Sequence, residues 1–202
     1  MKTQILTIFT ALIIGSGIAN STYAATAKNE TVTVLNDISA INKIEVHGNV
    51  LLYVSDGTAD QVKVYNKYYA ESALVKSKNG VLSIASCKAE KLVVWVTASD
   101  LRSIAAYDNA EVKSFGHLSK VEFEVDLYNN ASAKLDMDAI TAKVAVNDQA
   151  KATLSGNADE YDLKYAHVEN IKEADFTSTH ASKTQTGIDG IAKAKIDDFA
   201  DL

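Results

Sequence analysis

Proline is absent from the 202 residues, cysteine occurs once, at Cys87, and Arg102 is the only arginine. At an average usage of roughly 5%, proline's absence is a strong bias. Proline supplies no backbone N–H, so its exclusion suits a chain in which most strands are hydrogen-bonded on both sides. A single cysteine excludes an internal disulfide, so stability has to come from packing. Arginine is the preferred bidentate partner of phosphate. One arginine, with a net charge of −6, argues against nucleic acid as a partner. The hydrophobic content of 47% against 23% charged residues excludes a disordered or collagen-like chain and suits one globular domain or two small ones.

The N-terminus reads as a secretory signal: Lys2, a nearly unbroken apolar run from Ile5 to Ile18, then Asn20-Ser21-Thr22-Tyr23-Ala24. The run is shorter than the roughly 20 residues that span a bilayer, and small residues at Thr22 and Ala24 place cleavage after Ala24. No later segment is apolar enough to cross a membrane as a helix. The predicted organisation is a signal peptide over 1–24, a lead-in over 25–40 and one domain over 41–202. The protein is expected to be exported, to the periplasm or the cell surface.

From Ile41 onward the apolar period is two, which predicts strands. Ile44 and Val46, Leu52 and Val54, Val62 and Val64, and Leu82 and Ile84 alternate around Gly48-Asn49, Asp56-Gly57 and Asn79-Gly80. These pairs suit reversing backbone. Tyr68 to Val75 is expected to be a loop or helical turn, and Cys87 a small buried or half-buried core residue.

The second half repeats. A small-x-apolar unit recurs at Ala133-Lys134-Leu135, Ala152-Thr153-Leu154, Ala174-Asp175-Phe176 and Ala194-Lys195-Ile196, with Phe115 one period earlier. Val121, Phe123, Val125 and Leu127 map nineteen residues on to Ile140, Ala142, Val144 and Val146, then twenty-one further to Tyr161, Leu163, Tyr165 and His167. Strand segments recurring at about 20 residues predict an all-β solenoid whose coils each add to one inward row. Glu124, Lys143 and Lys164 would form one outward column, and Glu122, Thr141 and Asp162 another, both serving solubility. A β-sandwich is the alternative, from the glycine-bearing turns of the N-terminal half.

Asp108, Asn109, Asn129, Asn130, Asn147 and Asp148 are expected at one corner of three successive coils. They could form an amide ladder that satisfies the corner backbone or, with hard oxygen donors, a calcium site; the Gly-Gly-x-Gly-x-Asp signature of calcium solenoids is missing. Tyr107 and Tyr128 immediately precede these turns and would present rings along an outer edge, suited to a sugar or peptide. Tyr107, Tyr128, Asn109, Asn129 and Asn130 are therefore the candidate ligand-binding residues. Asp136 and Asp138 could share an outward face as the pair a glycosidase needs. His47, His117, His167 and His180 show no zinc spacing, and no catalytic residue, metal or cofactor is assigned.

The chain resembles the head-GIN domain family of exported bacterial proteins, which carry an auto-transporter adhesin label. The resemblance lies in Ile41-Asn42-Lys43-Ile44-Glu45-Val46-His47-Gly48-Asn49-Val50 with Val54-Ser55-Asp56-Gly57 and Val62-Lys63-Val64, in Asn79-Gly80-Val81-Leu82-Ser83-Ile84, in Leu101-Arg102-Ser103-Ile104, and in Ala152-Thr153-Leu154-Ser155-Gly156-Asn157-Ala158. It implies a right-handed, parallel β-helix-like solenoid with no established enzymatic activity. Asp100 stands where the family tends to place proline, and Asn/Asp turns replace Gly-Ser-Gly-like ones. The expected function is an exported, non-enzymatic, surface-presenting protein that binds a cell-envelope glycan or protein. A polysaccharide-degrading enzyme on a β-helix scaffold is the alternative.

Overall fold

The computed structural model describes residues 32–35, 38, 40–65 and 73–186. The expected signal peptide, most of the expected lead-in, the Ala194-Lys195-Ile196 repeat and residues 68–72 of the expected loop lie outside them. The rest of that stretch, Ala73 to Val75, is strand rather than loop.

The described fold is all-β: β1 (Val32–Leu35), β2 (Lys43–Gly48), β3 (Val50–Asp56), β4 (Gln61–Tyr65), β5 (Ala73–Lys78), β6 (Val81–Ser86), β7 (Leu92–Ala98), β8 (Ser103–Ala106), β9 (Glu111–Ser114), β10 (Leu118–Leu127), β11 (Ser132–Val146), β12 (Lys151–Tyr165) and β13 (Ile171–Gln185). The period-two reading holds. Ile44, Val46, Leu52, Val54, Val62, Val64, Leu82 and Ile84 are all buried, while the residues between them are not.

All thirteen strands join one hydrogen-bonded sheet, which does not fit the two facing sheets of a sandwich. Among the described strands, antiparallel pairing is confined to β1–β4, β4–β7 and β5–β6. Parallel pairing links β6, β2, β8, the C-terminal half of β10, β11, β12 and β13 in one series. A second series runs β7, β3, β9, β11, β12 and β13. Spatial order departs from chain order: β2 lies between β6 and β8, and β3 between β7 and β9.

Strand register corrects part of the repeat. Phe123, Val125 and Leu127 face Ala142, Val144 and Val146 as expected. The next step is again nineteen, with Ala142, Val144 and Val146 facing Tyr161, Leu163 and Tyr165. A slip of two residues keeps every side chain on the same face, so alternation could not detect the difference. The outward columns become Glu124–Lys143–Asp162 and Glu122–Thr141–Glu160. Ala133 with Ala152, and Leu135 with Leu154, pair as predicted.

Phe115 and Ala174 leave the predicted row. Phe115 is 59% exposed, since Lys113 faces Lys134 and the offset there is twenty-one. Ala174 is exposed because the register shifts between Thr153 and Ser155, so that Phe176 faces Gly156 rather than Leu154. A β-bulge of this kind adds one residue to one strand.

Cys87 is exposed, not buried. Ser86 takes the last inward position of β6, at 6% exposure, and the next residue points out. At the far end the inward row turns polar: Lys183 faces Leu163. Tyr161 Oη donates to Glu173 Oε1 at 2.6 Å, and Lys183 Nζ to Glu173 Oε2 at 2.6 Å. Burial and this carboxylate raise the Tyr161 pKa, keeping the phenol neutral.

Candidate functional site

The three expected corners do coincide. Residues 107–110, 128–131 and 147–150 are four-residue turns, each closed by an alanine N–H: Ala110 to Tyr107 O at 3.2 Å, Ala131 to Tyr128 O at 3.0 Å, and Ala150 to Asn147 O at 3.0 Å. The alanines are fully buried and anchor each turn to the core. The second residue of each turn has a positive φ: Asp108 at 61°, Asn129 at 57° and Asp148 at 53°. Asn and Asp are the non-glycine residues that enter this region most readily.

Their side chains form the ladder. Asp148 Oδ2 accepts the Asn129 N–H at 2.8 Å, Asn129 Oδ1 accepts the Asp108 N–H at 3.1 Å, and Asp108 Oδ2 accepts the Gly48 N–H at 2.9 Å. Each turn therefore fixes the one before it, and one side-chain oxygen each of Asp108, Asn129 and Asp148 is engaged with a backbone donor. No cluster of three or more His, Cys, Asp or Glu side chains able to hold a metal ion occurs among the described residues.

Beside the ladder runs a row of rings. Tyr107 and Tyr128 stack with centroids 4.9 Å apart and planes 4° apart, and His47 stacks on Tyr107 at 4.3 Å and 2°. Backbone bonds set this spacing: Tyr107 N–H donates to Val46 O and Tyr128 N–H to Ala106 O, both at 2.9 Å. The structure thus brings Tyr107, Tyr128 and Asn129 together. Asn109 and Asn130 sit exposed at the third turn position, outside the side-chain ladder. His47 was not among the candidates, because its neighbour in space is sixty residues away in the chain.

Parallel rings this close cover one another's faces. What the row offers outward is ring edges, phenol hydroxyls, the imidazole and the turn amides. Burial, then Asp126 and Tyr107, raise the Tyr128 pKa, so its hydroxyl stays a donor. Lys43 is raised by its 2.9 Å ion pair with Glu45. Asp126 lies between Ala105 and Ala145 in the sheet and forms no ion pair among the described residues. Burial, then Glu124, raise its pKa.

A raised folded-state pKa makes the protonated form the stabilising one. That contribution is complete below the unfolded value of about 4 and is lost as pH rises through the folded value. Asp126→Asn is therefore expected to raise Tm at pH 7, by about 2 °C or less given solvent screening at a half-buried site. The gain should vanish near pH 3; thermal melts at both pH values check it.

Asp136 and Asp138 do share a face, but it is open surface. His117 bridges them, with Nδ1 3.1 Å from Asp136 Oδ1 and Nε2 3.7 Å from Asp138 Oδ2, and all three side chains are about half exposed. An open groove of about 460 Å³ by Asp100, Arg102, Lys120 and Glu122 also lacks converging free carboxylates. Asp100 binds Arg102 at 2.7 Å, Lys120 pairs with Asp56, and Glu122 binds Lys143 at 2.7 Å. The lone arginine is thus committed to a local pair.

A further aromatic group was not foreseen. Tyr53, Trp95 and Phe115 meet on the outward side of β7, β3 and the end of β9. Val93-Val94-Trp95-Val96 reads as a buried run, and only the alternation within β7 shows that Trp95 points out.

A family model described as "Putative auto-transporter adhesin, head GIN domain" matches residues 40–196. The chain belongs to this family. Solved structures similar to this head GIN domain include a "putative adhesin" from Parabacteroides distasonis ATCC 8503, with 15% identity, TM-score 0.58, and coverage of 78% of this chain and 79% of the other. Another is a "putative adhesin" from Parabacteroides merdae ATCC 43184, with 16% identity, TM-score 0.53 and 78% coverage of each chain. A "Putative lipid binding protein" from Parabacteroides distasonis ATCC 8503 is similar at 11% identity and TM-score 0.58, covering 77% of this chain and 78% of the other. At these identities the likeness is one of fold. None of the curated proteins matches the chain. No helix among the described residues is long and apolar enough to cross a membrane.

Proposed function

We propose that this head GIN domain protein is an exported, non-enzymatic binding module, one domain over 41–202 built as a right-handed parallel solenoid. In this reading it presents the His47–Tyr107–Tyr128 row and its turns to a cell-envelope glycan or protein, in the periplasm or at the cell surface after cleavage behind Ala24. The observation that carries it is the ring row locked beside the Asp108–Asn129–Asp148 ladder. A flat set of hydroxyls, amides and an imidazole, held by backbone pairing, loses little freedom on binding. Hydroxyl-rich sugars and extended peptides fit such an edge, because both exchange hydrogen bonds in one plane.

The test is a glycan array with pull-down from envelope extract, using the full chain and its Tyr107→Ala/Tyr128→Ala variant. Loss of two central aromatic anchors should weaken the identified interaction at least about tenfold. Undiminished binding by the variant would refute the site, and shortening of any polysaccharide during incubation would refute the non-enzymatic reading.

A further inference from the structure

The outward side of β7, β3 and β9 differs from the ring row in one respect that decides its chemistry. Tyr53 and Trp95 lie 4.9 Å apart with planes tilted 36°, and Trp95 and Phe115 lie 4.7 Å apart with planes tilted 53°. Rings at these angles do not close on one another. Phe115 is 59% exposed, and Tyr53 and Trp95 are half-buried. Such faces are left for an apolar ligand surface.

Lysines flank this plate along the same column of the sheet. Lys63 faces Trp95 on one side, Lys113 faces Tyr53 on the other, and Lys134 follows opposite Lys113. Lys172 lies two strands further, opposite Thr153. Like charges directly opposite on neighbouring strands destabilise a sheet, and the Lys113–Lys134 pair is such a case. Glu111 relieves it in part, at 3.4 Å from Lys113 while also pairing with Lys91. Lys63, Lys134 and Lys172 form no ion pair among the described residues. In a chain of net charge −6, this is a local cationic strip beside open aromatic faces.

We infer that the Tyr53–Trp95–Phe115 plate with Lys63, Lys113 and Lys134 is a second binding face, for an anionic polysaccharide bearing uronic acid. The C–H faces of a pyranose stack on the tilted rings, and ring carboxylates pair with the lysines spaced along the column. Lysine is a point charge rather than a fork, which suits single carboxylates spread along a polymer better than clustered phosphate. This inference rests on the binding-module reading, but it uses strands that the Tyr107 row does not.

Trp95 is the only tryptophan, so emission excited selectively at tryptophan, to the red of tyrosine absorption, reports on this plate. Titrating the full chain with oligogalacturonate should give a saturable change in emission, weakened severalfold by raising salt through the screening of exposed charges. By calorimetry, Phe115→Ala and Lys63→Gln/Lys134→Gln should each weaken binding about tenfold or more. Phe115 is exposed, so its variant should fold normally, as circular dichroism would show. Tyr107→Ala/Tyr128→Ala should leave this binding unchanged, which separates failure of one face from failure of the other. The inference is overturned by unchanged emission, by equal affinity for a neutral xylo-oligosaccharide, by equal affinity for poly-glutamate, or by binding that survives both plate variants. Binding to anionic vesicles as tight as to the oligosaccharide would also overturn it.

Discussion

Phe123→Ala is expected to cost about 4 kcal/mol, most of the stability of a marginal domain. Phe123 is fully buried and heads a row that passes to Ala142 and then Tyr161 on successive strands. Large, small and large residues alternate there, so Ala142 leaves the space that the two rings fill. Removing the ring opens a cavity between parallel strands held in register on both sides, which have little room to collapse. In urea, the midpoint should fall with an unchanged m-value, since the surface exposed on unfolding is nearly the same. Restoring volume from the neighbouring strand gives a sharper check. Ala142→Leu alone should overpack the row by about 1–3 kcal/mol, whereas in the Phe123→Ala background it should recover part of the loss. Equal effects of Ala142→Leu in both backgrounds would show that the two side chains do not share one space.

That row also shows what was readable in the sequence. Alternation identified Phe123, Val125 and Leu127 of β10 and Ala142, Val144 and Val146 of β11 as inward, but it misplaced the head of each run, since Val121 and Ile140 are 74% and 53% exposed. The first nineteen-residue step was visible because Phe123, Val125 and Leu127 are followed by an equally clear run. The second step was misplaced by two because a pattern of period two repeats itself at every second register. The closing alanines were better markers than the strands: Tyr107-Asp108-Asn109-Ala110, Tyr128-Asn129-Asn130-Ala131 and Asn147-Asp148-Gln149-Ala150 align without ambiguity. In each, positive φ falls on the Asx at the second position. Tyr107, Tyr128 and Asn129 were legible as neighbours on one edge for this reason. His47 was not, because β2 reaches its partner β8 by a detour through β3 to β7, and no local pattern records that insertion. Trp95 was hidden differently. In a run as apolar as β7 the hydrophobic pattern marks no outward side, and only pairing with β3 and β4 fixes it.

Gly156→Ala should be the other severe substitution, at about 2–5 kcal/mol from two separable causes. Its φ is +101°, and a Cβ built there would stand 2.0 Å from the carbonyl oxygen of Met137, on the adjacent strand β11. Left-handed backbone costs a non-glycine residue about 1–2 kcal/mol. The collision adds overpacking of about 1–3 kcal/mol, because a backbone carbonyl in a parallel ladder cannot turn aside as a side chain could. Gly116 isolates the first cause. Its φ is +79°, but an added Cβ would meet nothing within 4 Å, so Gly116→Ala should lose only the conformational part. Chemical denaturation of the two variants therefore reads the close approach of β11 and β12 as a difference of about 2 kcal/mol. Equal losses would mean that β12 can move away from Met137, and the register Met137–Gly156–Phe176 would then be looser than its hydrogen bonding implies.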